Sequence, residues 1–291
     1  MKKHILILAT AVSATPNPVY CQSFSDDFDA GAFYDWFQDQ SNASELYTDN
    51  STLYTFASQT PVFSEPCEET RPITVLTQGE PVRNKAYPIE VFIPTAEING
   101  YHDIWYQIIL EEDSGKKSTG YIWGGHIAKA WFQTDVNRDG TDEFILFGLS
   151  EKPRDKEHDI RATIKVLQSD SLLSVTEMPG MCVYEECTSD VLLRAFIDPT
   201  HGIPILEAST LSIGCMATIE RSFLIWKGEQ LECIYYGEFT TGNTYQQSDF
   251  AFRPSANKVA QIYRFGGIDS AFNPTWKCID RKLRPTIMVV P

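Results

Sequence analysis

The chain is short of positive charge. It has 24 Lys and Arg against 39 Asp and Glu, a formal net charge of −15, and no Lys or Arg between Lys3 and Arg71. A surface this acidic repels phosphate backbones and anionic lipid, so the chain is a poor candidate for binding nucleic acid or anionic membrane. After residue 22 no apolar run approaches the ~20 residues a membrane-spanning helix needs. Long stretches of helical period are also missing. The five histidines (His4, His102, His126, His158, His201) form no i, i+4 pair, and no H-E-x-x-H, G-x-S-x-G or glycine-rich phosphate loop occurs. No repeated C-x-x-C spacing is present, which argues against structural zinc.

What is present begins with an export signature. Lys2 and Lys3 precede an apolar run from Ile5 to Ala14, the length of a signal-peptide core. The expectation is a signal peptide over residues 1–21 and an exported protein of the periplasm, cell surface or medium. Cleavage after Cys21 and cleavage after Ala14 both satisfy the small-residue rule. Lipoprotein anchoring through Cys21 is a further reading, less well supported because Pro18-Val19-Tyr20 is a poor approach to a lipidated cysteine. Seven cysteines are present, and loss or lipidation of Cys21 leaves six that can pair. In an exported chain this implies disulfides among Cys67, Cys182, Cys187, Cys215, Cys233 and Cys278, in any of fifteen connectivities.

Residues 22–52 form an acidic linker in which Asp26, Asp27, Asp29, Asp35 and Asp39 alternate with Phe24, Phe28, Phe33, Tyr34, Trp36 and Phe37. A tether with a short amphipathic helix around Ala30 to Gln40 and a docking peptide for a partner are the two readings of this composition. From Leu53 onward the pattern is strand and turn. Tyr87 to Ile93, Ile104 to Leu110 and Tyr121 to Ile127 are β-branched and aromatic runs, bounded by Asn99-Gly100, Asp113-Ser114-Gly115 and Gly124-Gly125. Ile104, Tyr106, Ile108 and Leu110 alternate along one face. Further strands are expected at Glu143 to Leu149, Ile160 to Gln168, Val191 to Phe196, Ile203 to Ala208, Val259 to Phe265 and Thr286 to Val290. A hairpin is expected where Ala217 to Trp226 and Leu231 to Tyr236 flank Lys227-Gly228-Glu229-Gln230. The fold class is all-β.

Several pieces of residues 53–130 occur in the order of one known family. They are Leu53-Tyr54-Thr55-Phe56, Pro61 to Pro66, Val75 to Val82, Trp105-Tyr106-Gln107-Ile108 and Gly120-Tyr121-Ile122-Trp123-Gly124-Gly125-His126-Ile127-Ala128. Together they resemble a bacterial SH3 (SH3b) domain, over a little more than a quarter of the chain. Phe63 stands where that family carries arginine, and an insertion separates Val82 from Trp105. The resemblance implies an SH3-like barrel that recognises an extended, peptide-like ligand, a peptidoglycan stem or a partner-protein segment, in an aromatic groove. Trp105, Tyr106, Tyr121 and Trp123 are the candidate groove residues. Alternation sends neighbours to opposite faces, so some of them must be core. Residues 131–291 are expected to form a larger, disulfide-braced β-rich domain, possibly a sandwich.

One loop carries metal-ligand spacing. Asp135, Asn137, Asp139, Thr141 (through its carbonyl) and Glu143 supply oxygen at positions one, three, five, seven and nine, with Gly140 at six. This suits Ca²⁺. It is not an EF-hand, because Leu146 occupies position twelve. It resembles the calcium loops of β-propeller and FG-GAP-type repeats, which run at once into a strand such as Phe144 to Phe147. The other reading is an acidic turn without an ion.

These features point to a cell-envelope binding protein rather than an enzyme, and no catalytic residue is assigned. Two alternatives belong to other classes: a cell-wall hydrolase with its active site in the C-terminal domain, and a structural subunit docking through Phe24 to Phe37.

Overall fold

A computed structural model describes residues 43–88, 91–111, 117–154, 160–169, 171–179, 181–183, 190–198, 203–213, 217–240, 244–253, 258–267 and 275–282, with backbone alone beyond residue 233. The elements are α1 (Ala43–Tyr47), β1 (Thr52–Tyr54), β2 (Gln59–Val62), β3 (Thr74–Thr77), β4 (Pro81–Asn84), β5 (Thr95–Ile98), β6 (Tyr101–Glu111) and β7 (Lys117–Trp123). A 3-10 turn at Gly124–His126 leads to β8 (Ala130–Thr134), β9 (Glu143–Leu149), β10 (Ile160–Gln168) and β11 (Ser171–Pro179). The chain continues as β12 (Asp190–Asp198), β13 (Ile203–Ile213), β14 (Ala217–Lys227), β15 (Gln230–Thr240), β16 (Thr244–Arg253), β17 (Lys258–Gly267) and β18 (Thr275–Lys282). The protein is all-β. The expected signal peptide, the aromatic stretch before Ala43, Asp113-Ser114-Gly115 and Thr286 to Val290 lie outside the described residues.

Strand β6 organises the first sheet. Asn99 (φ 56°) and Gly100 (φ 81°) are both left-handed, the backbone a two-residue hairpin demands, and they join β5 to β6 with Ile98 facing Tyr101. The expected strand at Tyr87 to Ile93 does not form at Tyr87 or Pro88. Pro88 and Pro94 flank that stretch and cannot donate to a ladder, and the strand begins instead at Thr95. Ile104, Tyr106 and Ile108 bury together with Leu53, Val82, Ile122 and Ile127, and Leu110 packs on the same cluster. The alternation along β6 therefore points as expected.

The SH3-like barrel is not seen as a closed barrel. Along one edge β6 is shared lengthwise, pairing β5 at Tyr101–Ile104 and β4 at Ile108–Ile109, while β7 takes the other edge. Strands β2 and β3 form a separate two-stranded ladder. Isolated bridges, Phe63 with Tyr121 and Thr55 with Ile127, and backbone hydrogen bonds such as Gly79 N–H to the Thr55 carbonyl tie the pieces together.

Two further sheets follow, in the orders β11-β10-β9-β8 and β12-β13-β14-β15-β16-β17-β18. The second is an antiparallel meander in sequence order, its β15–β16 step joined at Thr240 and Gln246. Lys227 pairs Gln230 across the expected hairpin turn. The two sheets face each other, with β8 against β12 and β11 against β15. Between them lies one hydrophobic core that draws Ile145, Phe147 and Ile164 from one sheet and Val191, Leu206 and Leu224 from the other. The same core contains Phe63, Tyr101, Trp105 and Trp123, so it crosses the boundary expected at residue 130.

The expected disulfide bracing is not shown. Cys67 is a half-buried free thiol. Cys182 is buried and disulfide-bonded. Cys187 and Cys215 lie outside the described residues. For Cys278 only the backbone, in β18, is described.

Charge is buried where the sheets meet. Lys129 Nζ lies 2.9 Å from Asp103 Oδ2, with side chains 6% and 0% exposed, and 5.3 Å from the centre of the Tyr106 ring. The other Asp103 oxygen accepts the Ile104 amide at 2.9 Å. Lys129→Met would strand a buried carboxylate. We predict a loss of about 3–5 kcal/mol in chemical denaturation, with a smaller loss in the Asp103→Asn, Lys129→Met double variant. Equal losses in the two proteins would show that the pair is not the source.

Candidate functional site

The loop between β8 and β9 is built by its own side chains. Thr134 pairs Glu143 at the last rung of the ladder, and the residues between must turn back within a short span. Arg138 (φ 67°) and Gly140 (φ 89°) take left-handed backbone to do so. Asn137 Oδ1 accepts the Asp139 amide at 2.8 Å, Asp139 Oδ1 accepts the Thr141 amide at 2.8 Å, and Asp135 Oδ2 accepts the Gly140 amide at 3.0 Å. These are Asx-type turns, the reason short acidic side chains suit such loops. Val136 is 1% exposed and pins the loop to the core.

Glu143 closes the site from below. It is fully buried, and its Oε2 accepts the Val136 amide at 2.8 Å and the Asn137 amide at 3.4 Å. Gln168 Nε2, at the end of β10, donates to Glu143 Oε1 at 3.1 Å and to Asp139 Oδ2 at 2.9 Å. Burial pushes the Glu143 carboxyl above its ordinary range. The Val136 and Asn137 amides oppose that shift, while the charges of Asp139 and Asp135 add to it. Asp139 is shifted downward, chiefly by the Gln168 hydrogen bond and the Thr141 amide.

Asp135, Asp139 and Glu143 each offer a carboxylate oxygen, all within 4.8 Å of one another. Opposite ligands on one Ca²⁺ stand about that far apart, since Ca–O distances are about 2.3–2.6 Å. Asp135 Oδ1 is buried with no hydrogen-bond partner. A buried carboxylate oxygen left unpaired carries a desolvation cost that a cation would remove. The donor set fits a hard divalent ion. Asn137 lies in the same turn, and Thr141 is exposed beside it.

The four aromatic residues expected to line a groove do not share one. Trp105 is 0%, Trp123 3% and Tyr106 4% exposed. Trp105 and Trp123 face each other across β6 and β7 and belong to the core between the sheets. Tyr106 points the opposite way, into the other cluster. Trp123 Nε1 donates to the Ala96 carbonyl at 3.2 Å, and the Phe63 ring meets Trp105 edge to face at 5.6 Å. Only Tyr121 reaches the surface in part, its hydroxyl accepting from Gln107 Nε2 at 3.3 Å. The reason is β6 itself: with partners stacked on both sides, alternation delivers rings to two interiors.

A second polar centre was not foreseen. Lys165 Nζ, on a buried side chain of β10, donates to Glu151 Oε2 at 2.6 Å and to the Phe56 carbonyl at 2.8 Å. Glu151 Oε1 accepts the Ser58 amide at 2.7 Å and its hydroxyl at 2.6 Å. The sequence signal was a lone cation inside the apolar run Ile164-Lys165-Val166. His126 lies within the field of this pair. Its pKa is lowered to about 4, first by burial and then by Lys165, with Glu151 opposing.

No family model matches the chain, and neither does any curated protein or solved structure.

With a folded pKa below the unfolded value, His126 binds fewer protons in the native state between pH 6.5 and 4. Stability is therefore lost as pH falls through that window. His126→Phe should flatten the acid limb of a stability–pH curve by on the order of 3 kcal/mol. An unchanged limb would remove the assignment.

Proposed function

We propose that this protein is an exported, calcium-braced binding protein of the cell envelope rather than a hydrolase. The observation that carries the calcium part is the convergence of Asp135, Asp139 and Glu143 around a buried, unpartnered Asp135 oxygen. The ion's role is mechanical. Bound there, it would tie the β8–β9 connection to the end of β10 through Glu143 and the Gln168-linked Asp139, stiffening the sheet that carries half of the main core. No bond is made or broken at the site.

The binding role rests on the resemblance of residues 53–130 to SH3-type modules and on the export signature. An extended peptide, either a peptidoglycan stem or a partner segment, is the ligand we assign. The aromatic rings in the interior are not its contact surface. A better one lies along β3, which pairs only β2 among the described residues and exposes Ile73 and Val75 at 50% and 52%. Strand addition at such an edge uses backbone hydrogen bonds for affinity and alternate side chains for selection. Tyr121 bridges Phe63, the residue that follows β2.

Two measurements test this. Calcium at a hundred times its dissociation constant should add about 2.7 kcal/mol, seen as a raised melting temperature that EDTA reverses and Asp139→Asn together with Glu143→Gln abolishes. A melting curve indifferent to calcium would sink the brace. Separately, the protein should co-sediment with purified sacculi, and Val75→Asp should release it. Failure to sediment would redirect the search to a protein partner, and turnover of labelled sacculi would restore the hydrolase.

A further inference from the structure

One face of the first sheet gathers hydrogen-bond donors that lack acceptors. Arg83 pairs Ile109 and Asn84 pairs Ile108, and the Lys85 amide continues that ladder by donating to the Gln107 carbonyl at 2.9 Å. Gln107 in turn pairs Tyr121, and Ile109 pairs Thr119. Lys85, Gln107 and Tyr121 therefore stand in one rung, running from the end of β4 across β6 to β7. Alternation puts Ile109 and Thr119 on the same face in the rung to one side, and Tyr87 beyond Lys85 on the other. The side chains follow this order. Lys85 Nζ donates to Thr119 Oγ1 at 3.1 Å, and Gln107 Nε2 donates to Tyr121 Oη at 3.3 Å.

Tyr87 Oη is shut off from water and has no hydrogen-bond partner. Burial, and then the neighbouring Tyr121 hydroxyl, pushes the Tyr87 phenol up to about 12, with Gln107 opposing. The phenol thus keeps its proton and can donate it. Tyr121, having accepted from Gln107, still has its own proton to give, and the Lys85 ammonium has two more after serving Thr119. In the rung of Trp105 and Trp123, Trp105 Nε1 is a further buried donor without a partner. Unpaired donors of this kind are costly to keep from water.

The local charge agrees. Arg83 and Lys85 are both exposed. Arg83 Nη1 is held by the Asn50 carbonyl at 3.2 Å, and Lys85 has no ion pair among the described residues. Asp49 approaches the same edge, but its Oδ1 accepts the Ala86 amide at 3.1 Å and its Oδ2 accepts Asn50 Nδ2 at 2.7 Å. One ammonium and two phenol protons match a single negative charge spread over two oxygens. A phosphate would bring a second charge toward Asp49 and find no guanidinium fork to hold it. Ile109, half-buried beside Thr119, adds a small apolar contact.

We infer that Lys85, Tyr87 and Tyr121 form a binding site for a carboxylate carried on a small aliphatic residue, such as the C-terminal alanine of a peptide. Gln107 positions Tyr121, and Thr119 positions Lys85. The site involves no residue of β3.

The test titrates the full chain with acetyl-L-alanyl-L-alanine, with acetyl-D-alanyl-D-alanine and with both peptides amidated at the C-terminus, following the Tyr87 and Tyr121 ring signals by NMR. Saturable shifts at both tyrosines are expected with at least one free acid and not with its amide. A response to the L form identifies a protein C-terminus as the source, and a response to the D form a peptidoglycan stem. Tyr87→Phe and Lys85→Met should each weaken binding on the order of tenfold. The melting temperature should hold in both, since Tyr87 Oη has no partner to lose and Lys85 is exposed. Val75→Asp should leave carboxylate binding unchanged, so failure at the β3 edge and failure at this site are told apart. No saturable shift with either acid, equal shifts with the amides, or full binding by either variant would overturn the site.

Discussion

Burial of strand β6 on both faces is the constraint on which the rest depends. Trp105 and Tyr101 enter the core between the two large sheets, while Ile104, Tyr106 and Ile108 enter the smaller cluster beneath α1 and β1. One strand therefore belongs to two interiors, and the chain on either side of residue 130 cannot be separated without exposing tryptophan. Large aromatics carry much of the energy of a core this size, which is why their placement sets the domain arrangement.

The ionic groups follow from that geometry. Where three sheets converge, some backbone and loop segments end in places water does not reach. Lys129 with Asp103 occupies such a place, Lys165 reaches from one to the partly exposed Glu151, and Glu207 is buried between two arginines on the other face of the β12–β14 sheet. A buried pair gains less than its Coulomb attraction suggests, because both ions are desolvated. These pairs do more to specify which segments meet than to add net stability. Lys165 illustrates it: its ammonium fixes the Phe56 carbonyl and Glu151 at one point, joining β10 to the segment after β1.

Local chemistry was readable from the chain. Asn99-Gly100 turns because only such residues accept two successive left-handed conformations cheaply. Glu143–Leu149 and Ile160–Gln168 form strands where the apolar, β-branched runs lie. The Asp135–Glu143 loop was legible because its donors are adjacent in sequence, so their convergence depends on local turns rather than distant contacts. The aromatic groove was misread for the converse reason. Trp105, Tyr106 and Trp123 announce a pleated surface, but whether that surface meets water or another sheet is decided by residues such as Val191 and Leu206, far away in the chain.

By itself, then, the sequence determined the all-β class, the turn positions, most strand limits and the ligand spacing of the acidic loop, all governed by φ/ψ preference and side-chain period. Tertiary structure alone decided that β6 would be shared and no barrel would close. It also decided that the tryptophans would be interior, that Lys165 would find Glu151, and that both faces of the β12–β14 sheet would be dry. Those outcomes turn on which surfaces stack, and stacking is settled by the total apolar area that can be removed from water, a quantity no local window contains.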